Sequence, residues 1–352
     1  MAGFSSINKS TDYFNTLLYT GNGTTSHAIT GVGFQPDWCF IKNRETTDVP
    51  NISTSVQGVN KYLITSTGDP LQSGSQNLLS FDADGFTVGT DNQFNVSSDG
   101  YVSWNLKAGT TSGITLGGAS ITPSSYSFNQ TSGFSIIAYT GTGSVATLPH
   151  GLGVKPACII IKNLESANEF WAVYHKSLGA TKSIYLNATN AVATTSVFMN
   201  DTEPTTDVFT IGTEDKVNKT STTMVAYCFA DIQGFSKFGT WKGNGANSFN
   251  NRQVGPYIYT GFRPAMVITK SVDSTGDWRI FDNKRDTYNT EQKILYPSDS
   301  SAEGTEEFAN YYCNGFKIRS TSSSYNTNNE DYAYMAFGQG LVGSNGVVGT
   351  AR

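Results

Sequence analysis

The chain's 352 residues leave room for two or three domains with cores of their own. Charged residues are 14% against about 25% in an average globular protein, while 36 glycines, 18 tyrosines and 21 phenylalanines supply turns and strand-forming bulk, a composition that points to an all-β fold. A net charge of −5 excludes a protein that grips nucleic-acid backbones through a basic face, and no apolar run reaches the roughly 20 residues of a membrane-spanning helix.

Read in chain order, Met1 to Ser5 has neither a charged start nor an apolar stretch behind it, and so does not read as a secretory leader. The first strong signal is Tyr19-Thr20-Gly21-Asn22-Gly23. It returns as Tyr139-Thr140-Gly141-Thr142-Gly143 and as Trp241-Lys242-Gly243-Asn244-Gly245. Each copy continues into a second phrase, Gly33-Phe34-Gln35-Pro36, Gly153-Val154-Lys155-Pro156 and Gly261-Phe262-Arg263-Pro264, and then a strand ending at Lys42, Lys162 or Lys270. Further along, Asp84-Gly85-Phe86 corresponds to Asp207-Val208-Phe209 and Asn314-Gly315-Phe316. Each copy closes on an aromatic-rich strand: Tyr101-Val102-Ser103-Trp104, Met224-Val225-Ala226-Tyr227 and Tyr332-Ala333-Tyr334-Met335. Such a period is far longer than the roughly 20–50 residues of a solenoid repeat, so each copy is expected to be an antiparallel β-sandwich domain. The expected division is residues 1–109 for repeat 1, 110–133 for a Gly/Ser/Thr-rich linker, 134–234 for repeat 2, 235–340 for repeat 3 and 341–352 for a Gly-rich tail. The linker would let repeat 1 move, whereas repeats 2 and 3, joined directly at Gly234-Phe235, would form a rigid pair.

The recurring residues read mainly as scaffold. Asn22-Gly23 and Asn244-Gly245 suit type I′ hairpin turns, and the prolines precede strands where a missing N–H does least damage. The lysines read as exposed edge charges, and the Asp84/Asp207/Asn314 position reads as a turn residue bonding its own backbone. Cys39, Cys158, Cys228 and Cys313 occupy unrelated positions without CxxC spacing, which predicts free thiols. His27, His150 and His175 form no ligand or catalytic pattern, and the carboxylate pairs Glu165/Glu169 and Glu306/Glu307 lie in polar segments unsuited to a general acid. No catalytic residue, metal ligand or cofactor is expected. The tryptophans Trp171, Trp241 and Trp278 are expected in the core, with stacking against a sugar ring as the functional alternative. Copy one has Val49-Pro50-Asn51-Ile52 where the other copies carry that aromatic strand.

The ordered YTGNG…GLGxxP…IK phrases, running from residue 14 to about 340, resemble a family of repeat-bearing virion proteins of tailed bacteriophages, especially marine and cyanobacterial ones. The resemblance implies tandem lectin-like or SPRY-like jelly-roll sandwiches in a non-enzymatic structural protein of the particle, assembled in the bacterial cytoplasm. A tail-fibre-like appendage or a capsid-surface decoration is the expected place. Implied partners are other virion proteins, further copies of the chain in a trimer or larger ring, and a host surface glycan, with neither nucleic acid nor membrane insertion. A carbohydrate-binding adhesin is the main alternative and a polysaccharide depolymerase a third.

Overall fold

A computed structural model describes residues 5–246 and 254–340; the expected tail at 341–352 lies outside the described residues. The fold is all-β and antiparallel, with two stacked sheets in each repeat. In repeat 1 the larger sheet runs Phe14–Thr20, Gly100–Leu106, Trp38–Asn43, Asn51–Thr54, Lys61–Ile64 and Gln72–Ser73, and the smaller one His27–Thr30, Gly85–Val88 and Leu78–Asp82. Repeat 2 has a larger sheet built around Phe134–Thr140, Thr223–Ala230 and Pro156–Asn163, covered by Ala146–Pro149 and Val208–Ile211. In repeat 3 the sheet Ser236–Lys242, Asp331–Gly340, Phe262–Ser271 and Arg279–Asp282 is covered by Tyr257–Tyr259, Gly315–Ile318, Gly304–Tyr312 and Glu291–Ile294.

Successive side chains of a strand point to opposite faces, and here both faces are buried. In the closing strand of repeat 1, Val102, Trp104 and Leu106 face one core while Tyr101 faces another. In repeat 2, Val225, Tyr227 and Phe229 alternate with Met224, Ala226 and Cys228; in repeat 3, Met335 and Phe337 alternate with Tyr334 and Ala336. One set in each strand fills that repeat's own sandwich. The other set meets its counterparts from both other repeats in a single central cluster. Trp38 stands edge-on to Tyr227 with ring centroids 4.4 Å apart, and Phe14 stacks on Phe337 at 5.3 Å. The three repeats thus share one core and do not form a mobile domain beside a rigid pair.

The expected linker is built into this assembly. Ser125–Asn129 pairs with Phe134–Thr140, Ile121 is buried in the sandwich of repeat 2, and the Ser127 hydroxyl donates to the Asp37 carboxylate of repeat 1 at 3.0 Å. The turn phrases also differ from expectation. Phe14–Thr20 and His27–Thr30 belong to different sheets, so Asn22-Gly23 carries the chain between sheets and is no hairpin. Gly23, Gly143 and Gly245 adopt φ of 68°, 70° and 60°, and a Cβ on Gly21, Gly141 or Gly243 would lie about 2 Å from the carbonyl of Val96, Lys219 or Thr327. Pro156 and Pro264 sit at irregularities of their strands, where no ladder bond is lost.

Around the centre the repeats join in a ring through three equivalent backbone bonds. Leu71 N–H donates to Leu164 O at 2.8 Å, Val192 N–H to Val272 O at 2.9 Å, and Glu303 N–H to Arg44 O at 2.7 Å. Each acceptor lies two residues beyond a recurring lysine, and those lysines are buried, contrary to the expected exposed edge charge. Lys162 Nζ donates to Gly68 O of repeat 1 at 2.9 Å and Lys270 Nζ to Thr189 O of repeat 2 at 3.1 Å. Lys42 Nζ donates to Asn43 O and Thr46 O and feels the Asp299 carboxylate of repeat 3. The tryptophans follow the same rotation: Trp171 Nε1 donates to Ile64 O and Thr67 O of repeat 1, and Trp278 Nε1 to Tyr185 O of repeat 2. The third seam lacks a tryptophan at this position because copy one has Pro50 there. Charge closes it: Arg44 grips Glu303 with two bonds of 2.8 Å, and buried Asp282 accepts from Arg285 Nε at 2.6 Å and Trp104 Nε1 at 3.0 Å.

Truncating Trp171 to Ala opens a cavity in the shared centre and leaves two carbonyls unpaired; guanidinium unfolding should report a loss of about 3–5 kcal/mol. The pH dependence follows from buried basic groups whose protonated form burial disfavours. Burial lowers His150 and His175 from 6.5 to about 4, so between those values the unfolded chain holds more protons and stability falls as pH drops. Burial likewise lowers Lys42, Lys162 and Lys270 from 10.5 to about 8, so these groups make stability rise between about pH 8 and 10.5. Urea midpoints measured across both windows should show these slopes, and Lys162→Met should reduce the alkaline one.

Candidate functional site

The tryptophans offered as alternative sugar-stacking anchors are not at the surface. Trp171 and Trp278 are 0% exposed and Trp241 is 5% exposed. The first two are seam residues. The third lies in the sandwich of repeat 3, stacked on Tyr332 at 5.3 Å, with Nε1 donating to Tyr325 O. Each indole is held by core packing and a carbonyl partner, so none offers a face to a ligand in solvent.

The other recurring polar groups serve shape. Buried Asn95, Asn218 and Asn326 end four-residue helices, and each accepts the backbone N–H of the central turn residue, Asn22, Thr142 or Asn244, at 2.7–2.9 Å. Their recurrence was visible in the sequence but blends into its Asn-rich background. Asp84 bonds the backbone N–H of Gly31 and Gly33 across the sheet, at 3.1 and 2.6 Å, and not the backbone of its own turn. His175 Nε2 meets Tyr334 O at 3.1 Å across the seam between repeats 2 and 3, and His150 Nδ1 accepts from Leu152 N–H. Hydrogen bonds from Thr223 lower the pKa of Glu165, the direction opposite to that needed by a general acid. Cys39, Cys158 and Cys228 are buried free thiols and Cys313 is partly exposed. A cleft of about 930 Å³ opens between Gln35 and Tyr126, but the carboxylate in its lining, Asp37, is engaged by Ser55 Oγ, Ser127 Oγ and Ala108 N–H.

The copies part company on the outer sheet of repeat 3. Strand register places two rows of outward side chains across three strands. One row is Tyr259, Gly315 and Tyr312; the next is Tyr257, Lys317 and Asn310. The tyrosines are 46% (Tyr257), 66% (Tyr259) and 39% (Tyr312) exposed. The Tyr257 ring leans over Gly315, where a Cβ would come within 3.0 Å of it, and its centroid stands 6.0 Å from that of Tyr312. Its hydroxyl donates to Asn314 Oδ1, and partial burial raises its pKa. The same register in repeat 1 gives Thr30, Gly85 and Asp82, then Ala28, Thr87 and Ser80. In repeat 2 it gives Pro149 with Val208 and Thr147 with Thr210. A sandwich therefore forms without these aromatics, and the fold does not require them.

No curated protein matches the chain. One family match runs over residues 9–340, taking the three repeats together as a single unit, in keeping with their common core. The chain belongs to that family, which is described as a domain of unknown function (DUF7483).

Proposed function

We propose that the protein is a non-enzymatic structural component of a bacteriophage particle, carried at its surface as a tail-fibre-like appendage or capsid decoration and contributing to host attachment. The observation that carries this reading is where the recurring groups are spent. The lysines hold seams, the asparagines hold turns, and the glycines admit close backbone approach. The repeated part of the chain is thus devoted to one rigid, three-lobed shape, which suits a building unit of an assembly. The ordered repeat phrases, with their resemblance to tailed-phage virion proteins, supply the setting. Within one polypeptide the ring provides the threefold arrangement that three separate copies of a repeat would otherwise supply. Other virion proteins are the partners this reading requires.

A second reading, a glycan-binding adhesin, is favoured by the tyrosine face of repeat 3 and is compatible with the first. Peptide mass fingerprinting of purified particles tests the structural reading. The chain should co-purify with the major capsid and tail proteins at a fixed copy number through a density gradient. Its absence from particles, with abundance only in the lysate, would contradict the assignment.

A further inference from the structure

We infer that the outer face of repeat 3 is a binding site for an acidic sugar, a uronic acid ring of a polysaccharide, with Tyr257, Tyr259 and Tyr312 as the stacking surface and Lys317 as the carboxylate partner. The inference deepens the attachment part of the reading above and rests on it.

Three observations converge. The first is the aromatic grid itself: adjacent rings on a rigid sheet, apolar on their faces and polar at their hydroxyls, match the alternating C–H and O–H surfaces of a pyranose. Asn310 stands beside Lys317 in the second row, and Asn314 orients Tyr257 through its hydroxyl, so amide groups flank the rings. The second observation is charge. In repeat 1 the corresponding hairpin carries Asp82 and Asp84, with Thr87 between the strands. In repeat 3 these become Tyr312, Asn314 and Lys317. Two carboxylates are removed and an ammonium is added, in a protein whose net charge is −5. Lys317 makes no ion pair with another of the described residues, and its strand register puts it between Tyr257 and Asn310. A local reversal from acidic to basic beside exposed rings is complementary to an anionic sugar, whereas a neutral sugar would leave the cation without a role. The third observation is extent. The outer sheet has two strands in repeat 2 and three in repeat 1, but four in repeat 3, where Glu291–Ile294 is added beside Gly304–Tyr312, the longer counterpart of Leu78–Asp82 that carries Asn310 and Tyr312. Tyr288, 82% exposed, precedes Asn289 and Thr290, whose side chains bond Tyr311 and Asn310 at the far side of that strand.

The test titrates the full chain with trigalacturonate, and with the neutral trisaccharide made by reducing its carboxyl groups, using calorimetry and Tyr/Trp fluorescence. Trigalacturonate should bind about fivefold more tightly than its neutral counterpart, the range of an exposed charge pair. Lys317→Met should erase that preference while leaving the neutral sugar unchanged. Tyr259→Ala should weaken both sugars about tenfold through lost stacking. Neither substitution touches a core, so circular dichroism should match that of the parent chain. The proposal is overturned if millimolar trigalacturonate produces no signal, if both sugars bind equally, or if both variants bind like the parent. It is also overturned if the chain forms a concentration-dependent dimer that Tyr259→Ala abolishes, because the face would then serve a second copy. A chain present in particles but indifferent to trigalacturonate would lose this inference alone; one that binds the sugar but is absent from particles would lose the virion assignment alone.

Discussion

Everything in this molecule depends on the apolar centre that no single repeat can close. The larger sheet of each sandwich is buried on both faces, and only one face is covered by the repeat's own outer sheet. The other face carries Trp38 and Trp104, Ile160 and Tyr227, or Met266 and Phe337, and reaches an apolar environment only when the other two repeats are present. Burying an aromatic or large aliphatic side chain is worth about 1.5–3 kcal/mol, so an isolated repeat would leave several such contributions unrealised. The repeats therefore act as thirds of one folding unit.

The periphery turns this common attraction into a fixed order. Two seams use tryptophan indoles reaching neighbouring carbonyls, and the seam between first and last repeats uses the Arg44, Glu303, Arg285 and Asp282 network. A misplaced repeat would leave an indole or a buried charge without its partner, and an unpaired buried charge costs several kcal/mol. The departure of copy one from the aromatic pattern is thus the place where the ring closes on itself. The buried lysines add polarity to the seams without exposing edges, because each ammonium finds main-chain carbonyls, within its own repeat for Lys42 and in the neighbouring repeat as well for Lys162 and Lys270.

Turn and strand chemistry was legible because it is local. The glycines, the prolines and the apolar runs bounded by them identify three β-rich copies, and the all-β antiparallel fold follows from them. The lysines were misread because a lysine at a strand end is usually solvated; only the closed ring brings Gly68 or Thr189 of the preceding repeat within reach of Lys162 or Lys270. Asn22-Gly23 looked like a hairpin because the dipeptide favours one, but the partner of Phe14–Thr20 is Gly100–Leu106, far along the chain. A clue to the common core lay in strands such as Pro156–Asn163, which lack polar alternation as doubly buried strands do. The site was half legible. Copies that disagree are where specificity belongs, and Tyr257, Tyr259 and Tyr312 were such disagreements, but their side-by-side placement exists only once strand register is known. The tryptophans drew attention by residue type, and packing claimed them.

Rigid shape and local specificity are thus divided between the shared and unshared parts of the repeats. The claim beneath this division is that residues 9–340, the extent of the family match, melt as one cooperative unit. Differential scanning calorimetry of the full chain tests it most directly. A single transition whose calorimetric and van't Hoff enthalpies agree is the predicted result. Two or three separable transitions, or a calorimetric enthalpy several times the van't Hoff value, would show that the repeats fold as independent domains and would contradict the account.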